Sequence, residues 1–202
     1  MPIVVSKFGG TSMGDASCML RSAEVAFQRK SNIVVVSATS GTTNDLIKLG
    51  QLAESGHFDQ AEVLIKRIQD KHHVIAKELH SDSKSLQDLN LLNSEMDSLA
   101  KGIYLLRECS NKAQDVLVSL GERMSSVLFT VALQKVFNKY QHSPIATLLD
   151  VRTVLKTDTQ FGKARPLTET IIALCKQNLS DCLNGRVVYV TQGFIGQTLD
   201  GA

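Results

Sequence analysis

A run of β-branched residues that ends in a lysine and two adjacent glycines, Ile3-Val4-Val5-Ser6-Lys7-Phe8-Gly9-Gly10-Thr11-Ser12, limits what this chain can fold into more than any other stretch. The apolar run predicts a short buried strand. Two glycines without a Cβ let the backbone turn sharply and approach another group closely. Beyond them, Leu20, Ala23 and Phe27 recur at helical spacing with Arg21, Glu24 and Gln28 between, which predicts a surface helix from Asp15 to about Lys30. Ile33-Val34-Val35-Val36 is too short and too β-branched for a helix and predicts a second buried strand. Strand, helix and strand in that order make a βαβ unit, hence parallel pairing with a right-handed crossover. Both strands then point the same way, and the loops after them lie side by side. Ligands of open α/β sheets bind outside those carboxyl ends.

The two loops carry suitable chemistry. Backbone amides of a Gly-rich turn can face anionic oxygens, and the next helix N-terminus adds partial positive charge. Lys7 supplies a full charge, Thr11 and Ser12 supply hydroxyls, and either these or Asp15 cap the helix. A phosphate is the natural ligand of such a turn, although a Gly-Gly turn after a strand is also ordinary structure. The second loop, Ser37-Ala38-Thr39-Ser40-Gly41-Thr42-Thr43-Asn44, is dense in hydroxyls and precedes a helix expected near Asp45. It reads as a capping segment with Thr43 or Asn44 as N-cap, or as a polar cup for a carboxylate. Its place beside Lys7 favours the cup.

From Phe58 to about Cys109 the pattern is helical. Phe58, Ala61, Ile65, Ile68, His72 and Ile75 form one apolar stripe, and Leu92, Met96, Leu99, Ile103 and Leu106 another. The Ser/Asp-rich stretch from His80 to Lys84 is the turn between them, so the stripes fit an inserted helical hairpin or a dimer surface. Gly121, in Val118-Ser119-Leu120-Gly121-Glu122-Arg123-Met124, costs a helix about 1 kcal/mol relative to alanine and marks a possible break, with Glu122 at the new helix start. There the glutamate caps the helix or presents a carboxylate to an ammonium group, and composition does not choose between these. Helix resumes to Asn138. Ile145 to Leu149 and Val187 to Val190 predict further strands, Thr157 to Pro166 a loop or loose hairpin, and Thr168 to Leu174 a helix capped by Thr168. The whole is one α/β unit.

Composition removes several function classes. The 202 residues are 43% hydrophobic, enough for a substantial core, and 22 basic against 20 acidic residues give no field for nucleic acid or a membrane surface. No segment reaches the roughly 18 apolar residues of a membrane span and no leader pattern opens the chain, so the expected location is cytoplasmic. Cys18, Cys109, Cys175 and Cys182 form no C-x-x-C pair, and His57, His72, His73, His80 and His142 show no metal-ligand spacing. Reduced thiols and surface or partly packed histidines are expected. No metal-ligating residue is assigned.

The landmarks together resemble a known family. Val5-Ser6-Lys7-Phe8-Gly9-Gly10-Thr11-Ser12-Met13 is similar to the signature of aspartate kinases in the amino-acid kinase superfamily. Ser37 to Asn44, Leu120 to Ser125, Asp150-Val151-Arg152 and Thr191-Gln192-Gly193-Phe194-Ile195-Gly196 follow in the family's order and approximate spacing, so the resemblance covers essentially the whole chain. It is strongest to the monofunctional, lysine-sensitive type. It implies a three-layer αβα fold with a mainly parallel sheet, truncated, and a helical segment over about 58–138. It also implies transfer of the γ-phosphoryl group of ATP, with Mg²⁺, to the side-chain carboxylate of L-aspartate. In that pattern Lys7, Gly9, Gly10 and Thr11 hold phosphate, with Lys7 catalytic; Ser37, Thr43 and Glu122 line the aspartate site, Glu122 on the ammonium group, with Phe194 nearby. A carboxylate nucleophile is already ionised at neutral pH and needs no general base.

The family pattern continues past Gly196 with an Arg-, Gly- and Asp-containing segment that completes the aspartate and nucleotide sites, followed by two ACT regulatory domains, and these are absent from residues 1–202. The expectation is therefore an N-terminal portion of a catalytic domain, with little activity alone and a homo-oligomeric full-length protein. Two rivals stand beside it: a non-catalytic ligand-binding module, and the kinase half of a bifunctional enzyme. A generic Rossmann nucleotide binder is weaker, because Gly9-Gly10 lacks the G-x-G-x-x-G pattern.

Overall fold

Four strands pair in parallel as one sheet in a computed structural model that describes residues 3–141 and 144–202, the side chains of Cys182 and Leu183 excepted. They are β1 (Val5–Phe8), β2 (Ile33–Val36), β3 (Ile145–Leu149) and, with one short pair counted between, β5 (Val187–Gln192), in the order β1-β2-β5-β3. The short pair, β4 (Lys156–Thr157) with β6 (Gln197–Thr198), is also parallel and stands apart. Register places Lys7 opposite Val35, and Val35 opposite Thr191.

Seven helices fill the connections: α1 (Ala16–Gln28), α2 (Thr42–Glu54), α3 (Phe58–Glu78), α4 (Ser83–Leu106), α5 (Asn111–Lys139), α6 (Thr168–Asn178) and α7 (Ser180–Leu183). Asp15 caps α1 by accepting from the Cys18 amide at 2.7 Å, a bond worth about 1 kcal/mol of helix stability. Asp82 and Ser110 do the same for α4 and α5. Helix α5 lies along one face of the sheet, where Phe129 packs against Phe8 at a ring separation of 5.8 Å and joins Val34, Val36, Val188 and Val190 in the core. Among the described residues it is the one helix long and apolar enough to cross a membrane, and 72% of its apolar window is buried inside the protein, which marks it as the core helix. Counting uninterrupted apolar residues passes over it because Glu122, Arg123 and the serines interrupt the run.

The opposite face is thinly covered. Alternation along β1 and β3 turns Val5, Lys7 and Ile145 away from α5, and Val5 and Ile145 are 56% and 63% exposed. Helix α6 buries none of its residues, and the Tyr189 hydroxyl reaches its end through the Asn178 carbonyl at 3.4 Å.

Several local expectations change. Helix α5 runs unbroken through Gly121, so Glu122 sits mid-helix. A Cβ on Gly121 would stand 3.0 Å from the Ala38 methyl, 3.2 Å from Leu46 and 3.3 Å from Thr42, so the glycine serves the close approach of α5 to the second loop. Helix α2 starts at Thr42, not near Asp45, with Gly41 as N-cap at φ +81° and no side-chain cap. Thr168 is the first residue of α6 and Leu167 its N-cap. Leu106 leaves the predicted stripe and is 77% exposed, whereas Leu92, Met96 and Ile103 are buried. His72 is fully buried rather than partly packed. Cys175 and Cys182 fall in two separate helices, α6 and α7, and His142 lies outside the described residues.

Candidate active site

The loops after β1, β2 and β5 meet at the carboxyl end of the sheet. Gly10–Met13 after β1 forms one 3₁₀ turn, closed by the Ser12 amide on the Gly9 carbonyl at 3.0 Å. Its first amides have no preceding helical carbonyl to bond. Neither glycine there has positive φ, and the two serve different ends. A Cβ on Gly10 would come within 3.3 Å of the Ala38 carbonyl, so this glycine lets the first loop sit against the second. At Gly9 no protein atom lies within 4 Å of where a Cβ would stand, which leaves its backbone open to a ligand. Thr11 is exposed on the same turn.

Lys7 is exposed, and its ammonium lies 5.2 Å from the ring centre of Phe194, a cation–π contact. Phe194 itself is 82% exposed. Its position is fixed from behind: Glu122 Oε2 accepts from the amides of Gly193 and Phe194, both at 3.0 Å. Among the described residues Glu122 Oε1 has no hydrogen-bond partner and remains an open acceptor. Burial raises the Glu122 pKa above the usual carboxylate value, and the Phe194 and Gly193 amides and the Lys7 charge offset only part of that.

The second loop is gripped from below. Ser37 donates its amide to the Phe8 carbonyl at 3.1 Å and accepts from the Ser125 hydroxyl of α5 at 2.6 Å. Ser37 is half-buried and Thr43 exposed, while Thr39 and Thr42 between them are 1% exposed. Gln192, at the end of β5, donates to the Ser126 hydroxyl at 2.7 Å and accepts from the Val151 amide at 2.8 Å, which ties β5, α5 and the segment after β3 together. A charged frame flanks this: Arg123 makes two bonds to Glu95 at 2.7 and 2.8 Å, and Arg152 clasps Asp150. Asp150 is held below the usual carboxylate range despite burial, because Arg152 bonds it.

The structure thus brings Lys7, Gly9, Gly10, Thr11, Ser37, Thr43, Glu122 and Phe194 to one end of one sheet. Ser125, Ser126, Gln192 and His72 were missed from sequence. The signal was there for the serines, two adjacent hydroxyls inside an apolar helical run. For Gln192 there was none, since a polar residue at a strand end is ordinary. Among the described residues no cluster of three His, Cys, Asp or Glu could hold a metal ion.

A parallel sheet with helices between its strands, a lysine near the end of β1, a glycine turn after it and a hydroxyl-lined loop after β2 defines an α/β fold of the kinase type. The chain belongs to the amino acid kinase family, whose profile matches residues 2–202. It is 34% identical to lysine-sensitive aspartokinase 3 of Escherichia coli over 98% of this chain and 42% of that protein. It is 29% identical to the chloroplastic aspartokinase 1 of Arabidopsis thaliana over 96% of this chain and 33% of that one. Among solved structures, E. coli aspartokinase III with aspartate and ADP in its R-state superposes with a TM-score of 0.84 at 33% identity, covering 99% of this chain and 42% of that one. Its T-state complex with lysine and aspartate gives 0.86 at 32% identity, over 98% and 42%. The chain spans less than half the length of these relatives.

Proposed function

We propose that these residues form the acceptor site and phosphate turn of an aspartate kinase, which transfers the γ-phosphoryl group of ATP to the side-chain carboxylate of L-aspartate to give 4-phospho-L-aspartate and ADP. The observation that carries this reading is the meeting of Lys7 and the open Gly9 backbone with the Ser37–Thr43 cup and the open Oε1 of Glu122. Phosphoryl transfer needs in-line positioning and neutralisation of charge on the equatorial oxygens. Lys7 supplies that charge from β1, and Gly9, Gly10 and Thr11 line the turn beside it. Ser37 and Thr43 orient the acceptor carboxylate with hydroxyls, and Glu122 holds the ammonium group through Oε1 while Oε2 keeps Phe194 in place. The carboxylate attacks as it stands, ionised, so no residue removes a proton.

Mg²⁺ suits the reaction by neutralising phosphate charge, but the described residues offer it no cluster of ligands. With the nucleotide bound it would be carried on the nucleotide's own phosphates, as is common for Mg²⁺. The same reading makes this a cytoplasmic enzyme of lysine-family amino-acid synthesis, homo-oligomeric in full length, and makes residues 1–202 the N-terminal part of its catalytic domain. Support for that division is the share of the E. coli relative covered, 42%.

The test is ADP release with L-aspartate as acceptor. Residues 1–202 alone are expected to turn over little; joined to a nucleotide-binding half they should release ADP only when aspartate is present, and Lys7→Ala should abolish most of it. Aspartate-independent release, or preference for another acceptor, contradicts the proposal.

A further inference from the structure

Helix α3 lies outside the sheet and contributes no residue to the site, yet it touches the acceptor loop at two adjacent positions. His72 is fully buried at its centre. The imidazole Nδ1 stands 2.7 Å from the Ile68 carbonyl one turn back. A carbonyl oxygen only accepts, so Nδ1 carries the proton and Nε2 is left as an acceptor. Thr39 Oγ1 lies 3.3 Å from that Nε2 and 2.6 Å from Thr42 Oγ1. With Nε2 accepting, the Thr39 hydroxyl donates to it and takes the Thr42 hydroxyl's proton as its own partner. The result is a directed buried chain, Thr42 to Thr39 to His72 to Ile68. Next to it, the Lys71 ammonium donates to the Ser40 carbonyl.

The loop requires such a hold. Helix α2 begins at Thr42 behind Gly41, which has left-handed φ and no side chain to cap it, so backbone bonds alone close the turn locally, the Thr42 amide on the Thr39 carbonyl at 3.0 Å. The Thr39 hydroxyl therefore joins the first residue of α2 to the middle of α3. Burial pushes the His72 pKa down to about 4, so the ring stays neutral and Nε2 stays an acceptor across the physiological range.

We infer that His72 is a positioning residue for the acceptor cup, fixing through Thr39 and Thr42, with Lys71 on Ser40, the conformation in which the loop presents Ser37 and Thr43. This rests on the reading of residues 37–44 as the aspartate site. Helix α3 is then part of the substrate-binding apparatus, and not a bystander to the sheet.

Thr39→Val and His72→Leu each remove the Thr39–His72 bond, and His72→Gln keeps an amide oxygen able to take the place of Nε2. In the intact protein without substrate, amide exchange at Thr42 and Asp45, bonded to the Thr39 and Gly41 carbonyls, is expected to accelerate by about fivefold or more in the first two variants. The aspartate KM should rise by about fivefold or more with kcat within about twofold, and His72→Gln should recover most of both. Where His72→Leu does not fold, Thr39→Val decides, since it exchanges one hydroxyl for a methyl. Unchanged exchange in a folded variant overturns the hold on the loop. Faster exchange with unchanged aspartate KM overturns its role in substrate binding. Exchange is read without substrate, so a parent protein that never accepts aspartate refutes the function proposed above while the hold on the loop is still measured.

Discussion

The two sides of the site are built differently. On the acceptor side exposed Thr43 and Phe194 stand in front of groups that are buried and bonded: Thr39 and Thr42 are 1% exposed, Glu122 7%, and Ser125 holds Ser37 from a fully buried position. On the phosphate side they are open: Lys7 and Thr11 are exposed, and Gly9 has no neighbour where a side chain would stand. Under the function proposed above, the difference follows from what each side must recognise. A small zwitterion is read by a few fixed hydrogen bonds, which burial strengthens and preorganises. A nucleotide phosphate is held largely by charge and backbone amides that must stay accessible. Substitutions on the acceptor side should therefore disturb affinity and fold together, and those on the phosphate side should disturb turnover or nucleotide affinity and leave the fold intact.

The largest expected effect is on the phosphate side. Lys7→Ala in an active form of the enzyme should lower kcat by about 10²–10³-fold, as loss of one transition-state donor does, and leave the aspartate KM within about threefold. Steady-state kinetics with varied aspartate checks this. A kcat near that of the parent would remove Lys7 from the transition state.

Next comes Glu122→Ala, which should weaken aspartate by about 1.5–3 kcal/mol, the usual value of a hydrogen bond to a charged group. Because burial raises the Glu122 pKa, the carboxylate takes up a proton at higher pH than an ordinary glutamate. Aspartate affinity should accordingly begin to fall on acidification above the usual carboxylate range, and Glu122→Gln should flatten that limb. A profile unchanged by Glu122→Gln would return the residue to holding Gly193 and Phe194 only.

The buried histidine gives a stability effect of intermediate size. Its pKa is lowered from 6.5 to about 4 by burial, with repulsion from Lys71 and His73 adding to it. The unfolded chain therefore binds the proton more tightly, and stability present above pH 6.5 is lost as pH falls toward 4. Between pH 7 and 5 the loss should be about 2 kcal/mol, seen as a drop in Tm that is smaller in His72→Gln.

Two glycines sharpen the contrast at the small end. Gly121→Ala adds a methyl 3.0 Å from Ala38. The overpacking costs about 1–3 kcal/mol and gains back about 1 in helix propensity, so a modest fall in Tm is expected. Gly9→Ala has negative φ and open space around it, so Tm should stay within about 0.5 kcal/mol of the parent while nucleotide affinity falls. A Gly9→Ala protein that loses stability would contradict the open phosphate side.

Much of the sheet side was legible because β-branched runs and turn glycines are local signals. β1, β2, β3 and α1 fall where Ile3 to Phe8, Ile33 to Val36, Ile145 to Leu149 and Asp15 to Lys30 place them. What escaped was decided by contacts between distant segments. Gly121 reads locally as a helix break, yet the cost of a mid-helix glycine is outweighed by its approach to Ala38, Leu46 and Thr42. Thr43 and Asn44 read as caps, but α2 starts earlier, where Gly41 takes left-handed φ and the Thr42 amide closes a turn on the Thr39 carbonyl. His72 sat on a correctly drawn apolar stripe, and nothing in the stripe says that its Nε2 meets a threonine 33 positions away.

The central claim is that this end of the sheet is an aspartate site whose ammonium contact is Glu122. Calorimetric titration of L-aspartate into the intact protein tests it most directly. The account predicts binding that is weakened about tenfold or more in Glu122→Gln and kept in Lys7→Ala. Aspartate affinity that survives Glu122→Gln and disappears in Lys7→Ala would contradict it.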